Sequence, residues 1–240
     1  MRRSRPPAPT PVPFSPQAAR AHREALGLTA EQVTKALAAH GVRLLPTHVT
    51  GWESGELRPD ETELIALARV LWCPADQLMG AAPGTLRDFR VARELSREQA
   101  ANRIGVGLRS YTDAESTGRW SWDEECSAAL AEVLGLTLRD LVRVRGAGPE
   151  LEQRLRQCVD GRWRAQLAAI GALVPVPRQT LGTVLAGLCG EYQVPSHWGA
   201  GSWGAAPAAE PGPRPPEPEQ APVDRFWSLL AGRDTGGLPV

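Results

Sequence analysis

Thr47-His48-Val49-Thr50-Gly51-Trp52-Glu53-Ser54-Gly55 decides how this chain is read, because it returns as Ser110-Tyr111-Thr112-Asp113-Ala114-Glu115-Ser116-Thr117-Gly118. Each copy reads as a short polar helix with one apolar seam, a Glu near its end and a Gly that stops it. Each lies downstream of a helix start of the same type, Leu28-Thr29 and Leu95-Ser96. A Thr or Ser there accepts from the free N–H groups of a first turn. A helix, a tight turn and a second helix with a polar outer face make a unit whose second helix fits a DNA major groove.

Around the first copy the pattern is helical from Pro16 to Gly80. A helix over Gln17 to Leu26 ends at Gly27, and Thr29 caps a second with Val33 and Leu37 on one face. Gly41 breaks that helix. Pro46 falls in the first turn of the third helix, where proline is tolerated. Gly55 and Pro59 close the third, and Leu64, Leu67, Ala68 and Leu71 continue the core. Residues 81–84 read as a linker. Residues 85–148 repeat the plan, with helices over Leu86 to Glu94, Ser96 to Ile104, about Gly107 to Ser116, and beyond Trp122. The copies differ in length between their second and third helices, so they are related rather than duplicate.

The surroundings read differently. Residues 1–15 hold five prolines and no apolar period, and are expected to be a flexible arm. Residues 149–193, with Leu151, Leu155, Val159 and Trp163 at helical steps, read as a helical hairpin and a homodimer surface. Residues 194–223, rich in Gly, Ala and Pro, are expected to be disordered. Residues 224–240 open with an apolar island. Its Phe226, Trp227, Leu229 and Leu230 suit either a groove on a partner protein or the chain's own surface.

Composition narrows the function. There are 27 basic and 27 acidic residues, which argues against coating nucleic acid by charge alone, since non-specific affinity needs many phosphate-neutralising cations. Lys35 is the one lysine among the basic residues, a bias that fits a high-GC genome. Cys73, Cys126, Cys158 and Cys189 are far apart and form no zinc-type spacing, so they read as reduced residues of a cytoplasmic protein. No apolar run approaches the roughly 18 residues of a membrane span. The scattered His22, His40, His48 and His197 frame no nucleophile-base pair, no metal set and no cofactor loop. The expectation is a binding protein without cofactor or enzymatic activity.

Arg23 to Thr29, then Val49 to Gly55 and Pro59, resemble the Cro/C1-type (xenobiotic-response-element) helix-turn-helix family. Arg90 to Ser96, Ala100-Ala101 and Tyr111 to Gly118 resemble it again, so the likeness covers roughly residues 16 to 145. The resemblance implies an all-α chain: two tandem five-helix lambda-repressor-like helix-turn-helix domains, 16–80 and 85–148, then the hairpin and the tail. It implies a partner, double-stranded DNA, a nucleoid location and a role in transcription. It also implies buried ion pairs between first and third helices, Arg23 with Glu53 and Arg90 with Glu115. Removing one partner of such a pair costs about 3–5 kcal/mol.

By the same resemblance, Thr47, His48, Thr50 and Gly51 face DNA in the first module, and Leu108, Arg109, Ser110, Thr112 and Asp113 in the second. Arg109 is the strongest choice, because Arg pairs bidentately with guanine O6 and N7. Thr47, Thr50, Ser54, Ser110, Thr112 and Ser116 are candidates for phosphate contacts, as is Arg97 near the start of its helix. Ala30 stands where the first module would match Arg97, and Gly51 carries no side chain to read a base. From Gln17 to Gly80 six Lys/Arg face eight Asp/Glu, a net of −2 that disfavours phosphate. Arg2, Arg3 and Arg5 suit either a minor-groove arm or a solvated tail.

Overall fold

The computed structural model describes residues 11–121, 123–192, 221–236 and 238–240. Helices follow one another throughout, with no strand among the described residues. The chain is therefore all-α. Among those residues no helix is long and apolar enough to cross a membrane. The expected arm Arg2, Arg3 and Arg5 and most of the expected tail 194–223 lie outside them.

Two compact units divide the chain, Met1–Leu136 and Thr137–Val240. The first begins with α1 (Pro16–Ala25), α2 (Ala30–Ala39), α3 (Pro46–Ser54), α4 (Glu61–Val70) and α5 (Ala75–Met79). Short-range chemistry sets these ends. Thr29 and Gln32 form a reciprocal capping box at α2, and Asp60 with Glu63 does the same at α4. α3 stops at Gly55, whose φ of 81° is free of strain for glycine. Val33, Leu37, Val49, Trp52, Leu64, Leu67 and Leu78 close into one core.

Residues 11–15 depart from the flexible arm expected of them. Val12 is buried in that core, the Ser15 side chain caps α1, and the Ser15 N–H donates to the Leu78 carbonyl at 2.7 Å. Proline content suppresses helix here without suppressing order, because one apolar side chain has a site to fill.

The first unit continues with α6 (Leu86–Ala92), α7 (Arg97–Ile104), α8 (Leu108–Thr117) and α9 (Glu124–Leu134). Ser96 and Gln99 repeat the capping box at α7, and Gly118 ends α8 in the left-handed region. Val91 of α6 joins the core of α1–α5, so the two stretches pack as one body.

The second unit holds α10 (Leu138–Val144), α11 (Gly148–Gln157), α12 (Trp163–Leu173), α13 (Arg178–Tyr192) and α14 (Pro222–Leu230). Leu138 and Val142 pack in this unit's core, although the sequence reading groups residues 137–148 with the preceding module. A wide turn over Cys158–Arg162 parts α11 from α12, with Gly161 at φ 90°. That value is open to glycine and strained for other residues, so the stretch that holds Leu151, Leu155, Val159 and Trp163 at helical steps is divided between two helices.

α14 folds back onto its own unit. Phe226, Trp227 and Leu230 are buried among Leu151, Leu155, Leu185 and Leu188, and Leu229 packs against the same core. Arg225 adds a bidentate pair with Glu191, 2.6 Å on both arms. Of the two readings open for these four residues, a partner's groove or the chain's own surface, the structure has the second. Phe226, Trp227 and Leu230 are core, and Leu229 is half-buried against it. Among the described residues, the large apolar side chains left exposed, Leu26, Leu45, Leu57, Trp72 and Leu108, lie in the first unit.

Candidate nucleic-acid interface

α3 and α8 are held from beneath in the same way. Arg23 of α1 donates Nε to Glu53 Oε1 at 2.6 Å and Nη2 to Oε2 at 2.8 Å, and its Nη1 reaches the Leu28 carbonyl at 2.9 Å. Arg90 of α6 donates Nε to Glu115 Oε1 at 2.6 Å and Nη2 to Oε2 at 3.1 Å, with Nη1 on the Leu95 carbonyl at 2.8 Å. One guanidinium thus fixes the third helix and the end of the first-to-second turn together. A planar fork suits that double duty and an ammonium does not.

The second pair is the deeper one. The Arg90 side chain is 2% exposed and Glu115 4%, against 18% and 10% for Arg23 and Glu53. Burial alone would lower the Arg90 value, but the bonds and charges of Glu115 and Glu61 outweigh it and raise the guanidinium further. Glu61, from the start of α4, is the partner that sequence reasoning missed. Its carboxylate takes Arg90 Nη2 at 2.7 Å, Arg87 Nε at 2.5 Å and Arg97 Nη2 at 3.1 Å. Desolvation pushes Glu61 up, and the three arginines, Arg90 first, bring it below the ordinary carboxylate value. Nothing local marks it, since in sequence it is one more acidic residue in a helix's first turn. A groove of about 580 Å³ lies above this cluster, lined in part by Ile65, Arg69, Leu95, Leu108 and Thr112.

That network claims Arg97. Its Nε also binds Glu115 Oε2 at 2.9 Å, so the candidate phosphate contact is already engaged by two carboxylates. Gly51 is displaced as well: it is buried, with a Cβ built on it only 2.8 Å from Leu57 Cδ1. Leu57 covers the position from the loop after α3, and Gly51 itself presents nothing to a base.

The other candidates are split between the helices. On α8, Leu108, Arg109, Ser110, Asp113 and Ser116 are exposed and Thr112 is half-buried; on α3, Thr47, Thr50 and Ser54 are exposed. His48 is half-buried, its Nδ1 enclosed without a hydrogen-bond partner among the described residues. Several hydroxyls spend their proton on their own helix: Thr50 on Thr47, Ser54 on Gly51, Thr112 on Leu108 and Ser116 on Asp113. A phosphate oxygen only accepts, so those hydroxyls must rotate away from the helix to reach one.

The arginines divide by role. Arg23, Arg87, Arg90 and Arg97 are tied into the scaffold. Arg43, Arg58, Arg103, Arg109 and Arg119 are exposed and have no ion-pair partner among the described residues. Arg43 and Arg58 lie just outside the two ends of α3. Arg109 lies in the first turn of α8, and Arg119 directly after its stop at Gly118. Among the described residues no group of His, Cys, Asp or Glu is arranged to hold a metal ion. Comparison with protein-family models, curated proteins and solved structures gave no match.

Proposed function

We propose that this chain is a sequence-specific DNA-binding regulator of transcription. In this reading α2–α3 and α7–α8 are two Cro/C1-type helix-turn-helix elements in one chain, working as a built-in pair on double-stranded DNA, and α8 is the principal reader. The carrying observation is the division among the arginines: the engaged ones hold the scaffold, while unengaged ones bracket α3 and α8. Guanidinium groups at both ends of a helix suit the two phosphate strands beside a major groove. Of these arginines, Arg109 in the first turn of α8 is the one assigned to a guanine, and Asp113 can accept from a cytosine amino group.

A second reading, a protein-binding adaptor built on degenerate modules, is favoured by Leu26, Leu45, Leu57 and Trp72, all exposed on the α1–α5 stretch. Selection from a randomised duplex library, followed by salt-titrated anisotropy on the selected duplexes, separates the two. A regulator enriches defined sequences, and Arg109→Ala weakens them by about five- to hundredfold. Absence of binding at low ionic strength overturns the proposal and leaves the adaptor.

A further inference from the structure

We infer that Leu57, from the loop after α3, takes over the base-reading position that Gly51 leaves empty, and that it selects thymine through the C5 methyl group. The inference rests on the DNA-binding reading above and assigns the chemistry of its weaker half.

The geometry is specific. Positions 47, 50, 51 and 54 share one face of α3 by helical spacing, and Thr47, Thr50 and Ser54 on it are exposed. The Leu57 N–H donates to the Gly51 carbonyl at 3.0 Å, which anchors the loop to that face. Its side chain then lies across the glycine, with Cδ1 at 2.8 Å and Cγ at 3.0 Å from where a Cβ would stand. The absence of that Cβ is what admits the leucine. Even so, Leu57 remains 45% exposed, so part of the leucine that covers Gly51 is open to contact on the face a base-contacting side chain would occupy. The next residue is the unengaged Arg58, and Arg43 stands beyond the other end of α3.

Four groups distinguish base pairs in the major groove: hydrogen-bond acceptors, amino donors, ring hydrogens and the thymine methyl. A leucine tip can hydrogen-bond with none of them, and its favourable contact is the methyl. The α8 face differs, since the position matching Gly51 is the exposed Asp113. The two helices therefore read by different chemistry, polar on α8 and apolar on α3.

The test uses the full chain and duplexes selected from a randomised library. Each thymine is replaced in turn by uracil, which removes only the methyl. At one thymine or more, uracil should weaken wild type by about fourfold, the worth of one buried methyl, and should leave Leu57→Ala unaffected. Leu57→Gln keeps an aliphatic stem of similar length and replaces the methyl tip with an amide; it should lose the thymine preference at that position, and it carries the test if Leu57→Ala does not fold. Equal uracil penalties in wild type and both variants overturn the inference with the DNA reading intact, and assign the face to a protein contact. Failure of wild type to bind any duplex rejects the DNA reading and this inference with it.

Discussion

The α1–α5 and α6–α9 stretches solve one structural problem with the same parts and then diverge at their surfaces. Both use a bidentate Arg–Glu pair, an Arg–carbonyl bond to a leucine and a Thr/Ser–Gln capping box. Their cores trade volume: Val49 and Trp52 on α3 stand where α8 has Tyr111 and Ala114, all four buried. A large and a small side chain have changed places, as close packing allows when total volume is kept. Burial pushes the Tyr111 phenol above its ordinary value, and its hydroxyl makes no hydrogen bond among the described residues.

The ends of the fourth helices differ more. After α9, Gly135 takes a φ of 63° and Arg93 lies over it, donating to the Leu134 carbonyl at 2.9 Å. A Cβ on Gly135 would come within 1.8 Å of that guanidinium. After α4 the matching residue is Trp72, at φ 53° and 88% exposed. One stretch ends its helix with a polar cap over glycine. The other accepts a left-handed tryptophan and shows it to solvent. The lesson is that the ion-pair scaffold is what the repeats share, while the surfaces it carries are free to drift.

The sharpest way to break this comparison is at the two arginines. Arg90→Met should lower unfolding free energy by about 3–5 kcal/mol, because it leaves the Glu115 side chain, 4% exposed, with only the surface arginine Arg97 as ion-pair partner. Arg23→Met, at the more exposed pair, should lose distinctly less. Equal losses in urea denaturation would mean that the depth of the second pair carries no energetic weight.

Glu61 sharpens the same contrast through pH. Its folded value is lowered, so its stabilisation is present above the ordinary value of 4.5 and is lost as pH falls through the depressed one. Glu61→Gln should destabilise by roughly 2 kcal/mol at neutral pH, as expected for hydrogen bonds to charged groups. The gap to wild type should close as pH falls below that ordinary value. A gap constant with pH would assign Glu61 to packing rather than charge.

The smallest effect is expected at Trp72. Trp72→Gly should raise the thermal midpoint through about 1 kcal/mol of relieved left-handed strain. No gain, or a loss, would show that the indole makes a contact that holds α4.

Much of this architecture could be read along the chain. Helix starts at Thr29 and Ser96, stops at Gly55 and Gly118, and the all-α character follow from capping and periodicity, which act within about four residues. The Arg–Glu pairs were legible only with the family resemblance beside the spacing. Other features depend on which distant residues become neighbours. Glu61 gathering Arg87, Arg90 and Arg97, Leu57 lying over Gly51, Val12 entering the core and α14 closing on α11 and α13 carry no local mark. The amino-acid order set the helices and the kind of ion pair they use, because backbone hydrogen bonds and caps are settled between near neighbours. Packing chose which arginines are engaged and which remain exposed, because a carboxylate buried far along the chain recruits whatever cation the fold brings within reach.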